Sequence, residues 1–253
     1  MKLSKSSRHS QILTQITQTP SLRVAELAAR MGVSTETIRR DLDELTSQGL
    51  VNRTYGGAVR TPSTEPSVGE RHALFVAERE RIARAASALI RPGSLVMIGA
   101  GATTTHVARR IAVEHKGLTV ITHSFGVATV LALNPTITVL MAPGAYLPSE
   151  GATVGAHATR FINEFSADLA ILGASGLTSE GATDALLEPA AVYGAIASRA
   201  GETMVVADHS KFDRVFAARY ASWREIGTVV TDMAPTGALA DSLARHRVKV
   251  VTA

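Results

Sequence analysis

Three stretches of this chain carry residue types at spacings suited to holding anions. The first is Gly99-Ala100-Gly101-Ala102-Thr103-Thr104, two glycines directly ahead of a helical pattern. Glycines let the backbone turn tightly and present successive N–H groups, and a helix amino terminus adds partial positive charge. The second is Asp208-His209-Ser210-Lys211, which follows an apolar run. Lys211 can hold a phosphate as a point charge, while Asp208 either takes sugar hydroxyls or orients Lys211. Ser175, in Gly173-Ala174-Ser175-Gly176, offers a further hydroxyl or is a plain turn residue. The third stretch suits a polyanion: Ser34, Thr35, Thr37, Arg39 and Arg40 lie in one short helical pattern. Arginine either bonds guanine in a bidentate way or holds a phosphate, and threonine offers a hydroxyl or methyl contact.

Other chemistries lack their residues. The chain has no cysteine, which excludes a disulfide scaffold, a thiolate nucleophile and a thiolate zinc site. Its eight histidines are scattered, so no metal site is assigned. Gly99–Thr104 matches half of a dinucleotide fingerprint, with Thr104 at the third glycine. The acid that should close the next strand is missing, because that strand ends Thr122-His123-Ser124. No cofactor is therefore expected. An isomerase would need a base beside a substrate carbonyl and a stabiliser for the enediolate. Glu150, Asp184, Glu188, Asp208, His106 and His123 form no recognisable constellation for that, so no catalytic residue is assigned.

The elements that must position these groups divide the chain. Residues 1–60 hold nine Lys/Arg and five Asp/Glu, while the rest carries equal numbers of each. All of the net charge of +4 thus sits in the first quarter, as expected of a small nucleic-acid-binding module on a neutral body. Ile12, Leu13 and Ile16 mark one helix face, and Val24, Leu27, Ala28 and Met31 mark the next. Gly32 ends the second helix. Ser34 can cap a third helix, whose Ile38, Leu42 and Leu45 form the buried stripe. Residues 50–60 look like a hairpin turning near Gly56-Gly57, and its Arg53 and Tyr55 could form a wing beside the helix. The Pro/Ser/Thr-rich stretch after Arg60 reads as a linker over 61–74. Over 75–253, seven apolar runs (95–98, 118–122, 137–142, 169–172, 204–207, 228–231 and 248–252) alternate with helical stretches. That predicts an α/β domain with a mostly parallel, Rossmann-like sheet and its ligand at the strands' carboxyl ends. The amino terminus lacks a signal-peptide pattern, and no apolar run is long enough to span a membrane. A soluble cytoplasmic protein is expected.

The run Gly32-Val33-Ser34-Thr35-Glu36-Thr37-Ile38-Arg39-Arg40-Asp41-Leu42, then Gly49-Leu50 and Arg53-Thr54-Tyr55-Gly56-Gly57-Ala58, closely resembles the DeoR family of bacterial transcription regulators. The resemblance continues through Ile82-Ala83, Gly101 with Thr103-Thr104, Thr122 with Ser124, Gly173–Gly176, Ala207–Phe212 and Thr231-Asp232. It implies a winged helix-turn-helix followed by a sensor domain related to sugar-phosphate isomerases. It further implies a homo-oligomer, dimer or tetramer, that represses carbohydrate genes and leaves double-stranded operator DNA when a phosphorylated sugar binds. The effector residues carried over are Gly99, Gly101, Thr103, Thr104, His123, Ser124, Ser175, Asp208 and Lys211. The DNA-contacting residues are Ser34, Thr35, Thr37, Arg39, Arg40, Arg53, Tyr55, Gly56 and Gly57. This chain departs from the family pattern at one wall. Gly99-Ala100-Gly101-Ala102-Thr103 stands for Asp-Ser-Gly-Thr-Thr, His123 for an asparagine, and Tyr193 for a frequent lysine. Fewer polar groups and a more aromatic wall imply an effector that differs in its sugar part or its charge.

Overall fold

The computed structural model describes residues 8, 9, 11, 12, 15, 24–47, 51–54, 57–60 and 65–253, with backbone alone at 46, 47, 51–54 and 57–60. The chain forms two compact units, residues 1–64 and 65–253. In the first unit, α1 (Val24–Met31) and α2 (Thr35–Ser47) are joined across Gly32, whose φ of +62° is a backbone conformation glycine adopts without strain. The Ser34 hydroxyl accepts the Thr37 N–H at 3.1 Å and starts α2. Ile38, Leu42 and Leu45 pack with Ile12, Val24, Leu27 and Ala28 as the expected stripe. The sequence reading did not anticipate the anchor at Asp41. This buried carboxylate accepts bonds from Arg8 at 2.5 and 2.9 Å and lies 3.1 Å from a His9 ring nitrogen. Strands β1 (Val51–Thr54) and β2 (Gly57–Arg60) pair antiparallel, with Thr54 opposite Gly57.

Most of the stretch expected as a linker, 61–74, is built into the second unit. Residues 61–64 lie outside the described residues, but from Glu65 onward the chain belongs to the second unit. Ser67 and Glu70 form a reciprocal capping box at the start of α3 (Val68–Arg71). The Val68 N–H donates to the Ser149 carbonyl at 2.8 Å, and Arg71 is buried. Buried contacts hold this segment in place despite its loop-like composition.

All seven predicted apolar runs become parallel strands of one sheet: β3 (Leu95–Ile98), β4 (Thr119–Thr122), β5 (Thr138–Met141), β8 (Ala167–Leu172), β11 (Ala200–Val206), β13 (Thr228–Thr231) and β14 (Lys249–Thr252). Their order across the sheet is β14-β13-β11-β8-β3-β4-β5. Helices α4 (Val76–Ser87), α5 (Ala102–Glu114) and α6 (Phe125–Leu131) bury their apolar sides against one face. Helices α7 (Ala156–Asn163), α8 (Leu187–Ser198) and α9 (Gly237–Arg245) cover the other. Two-sided cover explains why the strands read as unbroken apolar runs. From β3 the chain winds outward one way through β4 and β5, and from β8 the other way through β11, β13 and β14. The direction reverses between β3 and β8, where such sheets open a crevice at their carboxyl ends.

Five short strands were not anticipated. β6 (Ala145–Leu147) and β7 (Ala152–Val154) pair as a hairpin. β9 (Gly176–Thr178), β10 (Gly181–Asp184) and β12 (Ala218–Ala221) make a small antiparallel sheet. Helix α7 begins at Ala156, two residues after β7 ends.

Candidate effector cleft and DNA-reading helix

The β3–α5 turn and the loop after β8 lie side by side at the crevice. A narrow cleft, open to solvent, is lined there by Ala100, Gly101, Ala102, Thr103, Gly173, Ala174 and Ser175. Asp184 at the end of β10, Tyr193 of α8, and Lys211 close its sides. Glu65, Arg71, Arg79 and Glu150 complete it. Helix α5 starts at Gly101, which has no side chain to cap its first N–H groups. Those groups carry the positive end of a 13-residue helix into the cleft rim.

The turn is clamped from behind. An amide nitrogen only donates, so the Ala100 N–H donates to His123 Nε2 at 3.0 Å. His123 Nδ1 then carries the ring proton and donates to the Thr153 carbonyl at 2.8 Å. Burial lowers the His123 pKa to about 4, with the Thr153 bond opposing, so the ring is neutral at pH 7. The Tyr193 hydroxyl donates to the Ala100 carbonyl at 2.8 Å, and the Tyr220 hydroxyl to the Gly173 carbonyl at 2.6 Å. The three rings stack edge to face, His123 on Tyr193 at 5.6 Å and Tyr193 on Tyr220 at 5.3 Å. They fix both backbone loops of the cleft at once. A Cβ on Gly99 would lie 2.9 Å from Leu172 Cδ2 and 3.0 Å from Tyr193 Cε1. The tyrosine thus occupies the space that an acidic side chain at position 99 would need.

The charges in the cleft are buried and mutually paired. Arg71 meets Glu150 at 2.5 Å and Glu65 at 3.5 Å. Lys211 bonds Glu65, and Arg79 meets Asp208 at 3.2 Å. Asp184 accepts from Ser175 Oγ at 3.3 Å. Burial raises the Asp184 carboxyl to about 6, against the opposing Leu186 N–H. Glu150 is likewise raised by burial, with Arg71 opposing.

Of the expected effector residues, Gly101, Thr103, Ser175 and Lys211 line the cleft, whereas Gly99, Thr104, His123, Ser124 and Asp208 stand behind it. The Thr104 hydroxyl donates to the Gly101 carbonyl at 3.0 Å. Ser124 caps α6 by accepting the Val127 N–H at 3.3 Å. His123 and Asp208 are fully buried, the first as a strut and the second as the partner of Arg79. Sequence reasoning missed Arg71, Arg79 and Glu65. The legible signal was the Ser67-to-Glu70 capping box, which marks a helix inside the supposed linker.

In the first unit, Arg39 and Arg40 project from α2 with side chains 57% and 80% exposed, and each meets the similarly exposed Glu36, at 3.8 and 3.6 Å. Thr35 is exposed, Thr37 half-buried, and the Ser34 hydroxyl is committed to its cap. Gly57 opens β2. The Arg53 side chain, Tyr55 and Gly56 lie outside the described residues.

The DeoR-like helix-turn-helix domain matches residues 8–64, and the DeoR C terminal sensor domain matches residues 75–233. The chain belongs to the DeoR family. Relatives within it span nearly the whole chain. The "HTH-type transcriptional repressor CsqR" of Escherichia coli (strain K12) is 31% identical, covering 99% of this chain and 96% of that one. The "Glycerol-3-phosphate regulon repressor" of the same strain is 32% identical over 98% and 99%. The "Putative aga operon transcriptional repressor" of Escherichia coli O157:H7 is 33% identical over 94% and 89%. These DeoR relatives are named as repressors rather than enzymes, and this chain is a DNA-binding transcriptional regulator of the same family. No helix among the described residues is long and apolar enough to cross a membrane.

Proposed function

We propose that this DeoR-family regulator is a repressor that reads double-stranded operator DNA with α2 and releases it when a phosphorylated, hydroxyl-bearing metabolite fills the cleft. In this reading residues 1–64 bind DNA, and residues 65–253 sense the effector and form the homo-oligomer. The observation that carries the effector half is the cleft's composition. An uncapped helix amino terminus and three cationic side chains lie beside three carboxylates, at the switch point of a doubly wound sheet. The cations and N–H groups suit a phosphate, and Asp184, Glu150 and Ser175 suit hydroxyls. Gly101, Thr103, Ser175 and Lys211 act directly, while Gly99, Thr104, His123, Ser124 and Asp208 shape the site from behind. The aromatic wall of Tyr193 against Gly99 favours an effector different from the common hexose and pentose phosphates. On the DNA side, the Arg39 and Arg40 side chains are exposed on α2 away from its core stripe, and Thr35 is exposed at its start. Arg53, Tyr55, Gly56 and Gly57 would supply the wing. Paired modules would engage two half-sites about one helical turn apart, and the protein would work in the cytoplasm, where the operator lies.

The test is a DNA-binding titration against the gene's own upstream region, with and without a panel of sugar phosphates and neutral sugars. One phosphorylated ligand should abolish binding. Arg39→Ala and Arg40→Ala should each weaken binding about tenfold or more at unchanged stability and reduce the salt slope by about 0.9 per lost phosphate contact. Unchanged affinity in both variants refutes the placement of α2. A neutral sugar acting where no phosphate does refutes the anion site.

A further inference from the structure

Glu65 is placed unusually for a carboxylate. Its side chain is 5% exposed, and one oxygen, Oε1, faces both Lys211 and Arg71. The other oxygen, Oε2, is buried and has no hydrogen-bond partner among the described residues. A buried carboxylate oxygen left bare is costly, so a folded protein keeps one only where something else holds it there. What holds Glu65 is the pair of cations that the cleft would offer an incoming anion. Arg71 keeps a second partner in Glu150, but Lys211 meets no acid other than Glu65 among the described residues. Glu65 is also the first residue of the second unit, joined through 61–64 to the unit that carries α2. An effector can shift a regulator only by binding one of two states better. Exchange of one anion for another at Lys211 creates two such states.

We propose that the Glu65 carboxylate is a built-in competitor for the effector's phosphate: it holds Lys211 and Arg71 in the empty cleft, and a phosphate monoester displaces it and frees the segment leading into the DNA-binding unit. The inference rests on the reading of this cleft as an anion site. A phosphate dianion brings more charge and more acceptor oxygens than one carboxylate, and it also reaches the α5 amino terminus, which Glu65 does not cap. Once Lys211 is taken, Glu65 is left with a bare carboxylate in a buried site and moves toward water. The capping box of Ser67 and Glu70, two residues on, is where that movement would be felt first.

Two measurements on the full chain at pH 7.5 test this, with inorganic phosphate as the probe. By calorimetry, Glu65→Gln should bind phosphate at least tenfold more tightly than the wild type, because the cations no longer have a competing anion. By amide hydrogen exchange, phosphate should speed exchange over 65–72 in the wild type while slowing it over 100–104. Glu65→Gln should exchange fast over 65–72 without phosphate. Should that variant not fold, Glu65→Asp withdraws the charge by one methylene and should give an intermediate gain. Phosphate that binds with equal affinity to wild type and variant, or that slows exchange over 65–72, overturns the competition and leaves the anion site standing. Phosphate that binds neither protein and protects nothing at 100–104 overturns the anion site and the competition with it.

Discussion

Replacing His123 with phenylalanine tests whether this ring is a strut rather than a wall of the binding site. The substitution keeps a flat ring of similar size against Tyr193 and removes both nitrogens. The Ala100 N–H then loses its acceptor, and the Thr153 carbonyl loses one donor. An orphaned buried N–H costs about 1–3 kcal/mol, and a carbonyl that keeps a second lone pair costs about 0.5–1.5 kcal/mol. The expected loss is about 2–4 kcal/mol, or about 5–15 °C in Tm for a unit of this size. The assay is urea and thermal unfolding followed by fluorescence of Trp223, the chain's single tryptophan, which is buried in the second unit. The comparison also has a pH signature. The folded pKa of about 4 lies below the ordinary histidine value of 6.5. Below pH 6.5 the unfolded chain therefore binds the proton more readily, and stability falls as pH drops from 6.5 to about 4. The span is worth up to about 3 kcal/mol. The phenylalanine variant has no such group, so its deficit should be largest near pH 7 and shrink toward pH 4. A deficit under about 0.5 kcal/mol, or one that does not change with pH, refutes the strut.

Three further outcomes are expected. Arg79→Met strands the fully buried Asp208 without its cation and should cost about 3–5 kcal/mol. Adding Asp208→Asn removes the stranded charge and should recover most of that, so a double variant no more stable than the single one refutes the pairing. Gly99→Ala pushes a methyl against Leu172 and against a Tyr193 ring pinned by its hydroxyl, and should cost about 1–3 kcal/mol in thermal unfolding. A cost near zero would mean that Tyr193 does not fill the space beside Gly99. Asp184, raised by burial to about 6, binds its proton more tightly folded than unfolded. It should therefore lower stability as pH rises from about 4 to 6, by up to about 3 kcal/mol. Asp184→Asn should flatten that part of the profile, and an unaltered profile would show that the carboxyl titrates normally.

The parallel sheet was legible because each of its strands is an apolar run long enough to stand out from its helical neighbours. Helix α2 was legible because Gly32, Ser34 and the Ile38–Leu42–Leu45 stripe mark its start and its buried face. The short strands β6, β7, β9, β10 and β12 were not, since three or four residues such as Gly-Leu-Thr show no period of their own. The cleft was half legible. Gly101, Thr103, Ser175 and Lys211 follow strand ends, where position alone points to a ligand. Arg71 and Glu65 lie on a segment that reads as linker and Arg79 on a helical stretch, and only their burial gives them a role.

The sequence by itself determined the alternation of strands and helices along the second unit, the parallel sheet that follows from it, and the family. Those properties rest on local patterns: period, caps, glycines and the placement of charge. Only the tertiary structure decided what each polar group does. Whether Lys211 is free or held, whether His123 is exposed or braces a turn, and whether Glu65 lies in a loop or lines the cleft all depend on partners far along the chain. Lys211 and Glu65 are 146 residues apart, and Asp208 and Arg79 are 129 apart. No local pattern records such a meeting, because burial and pairing arise only when the sheet closes and brings the carboxyl ends of β3 and β8 side by side.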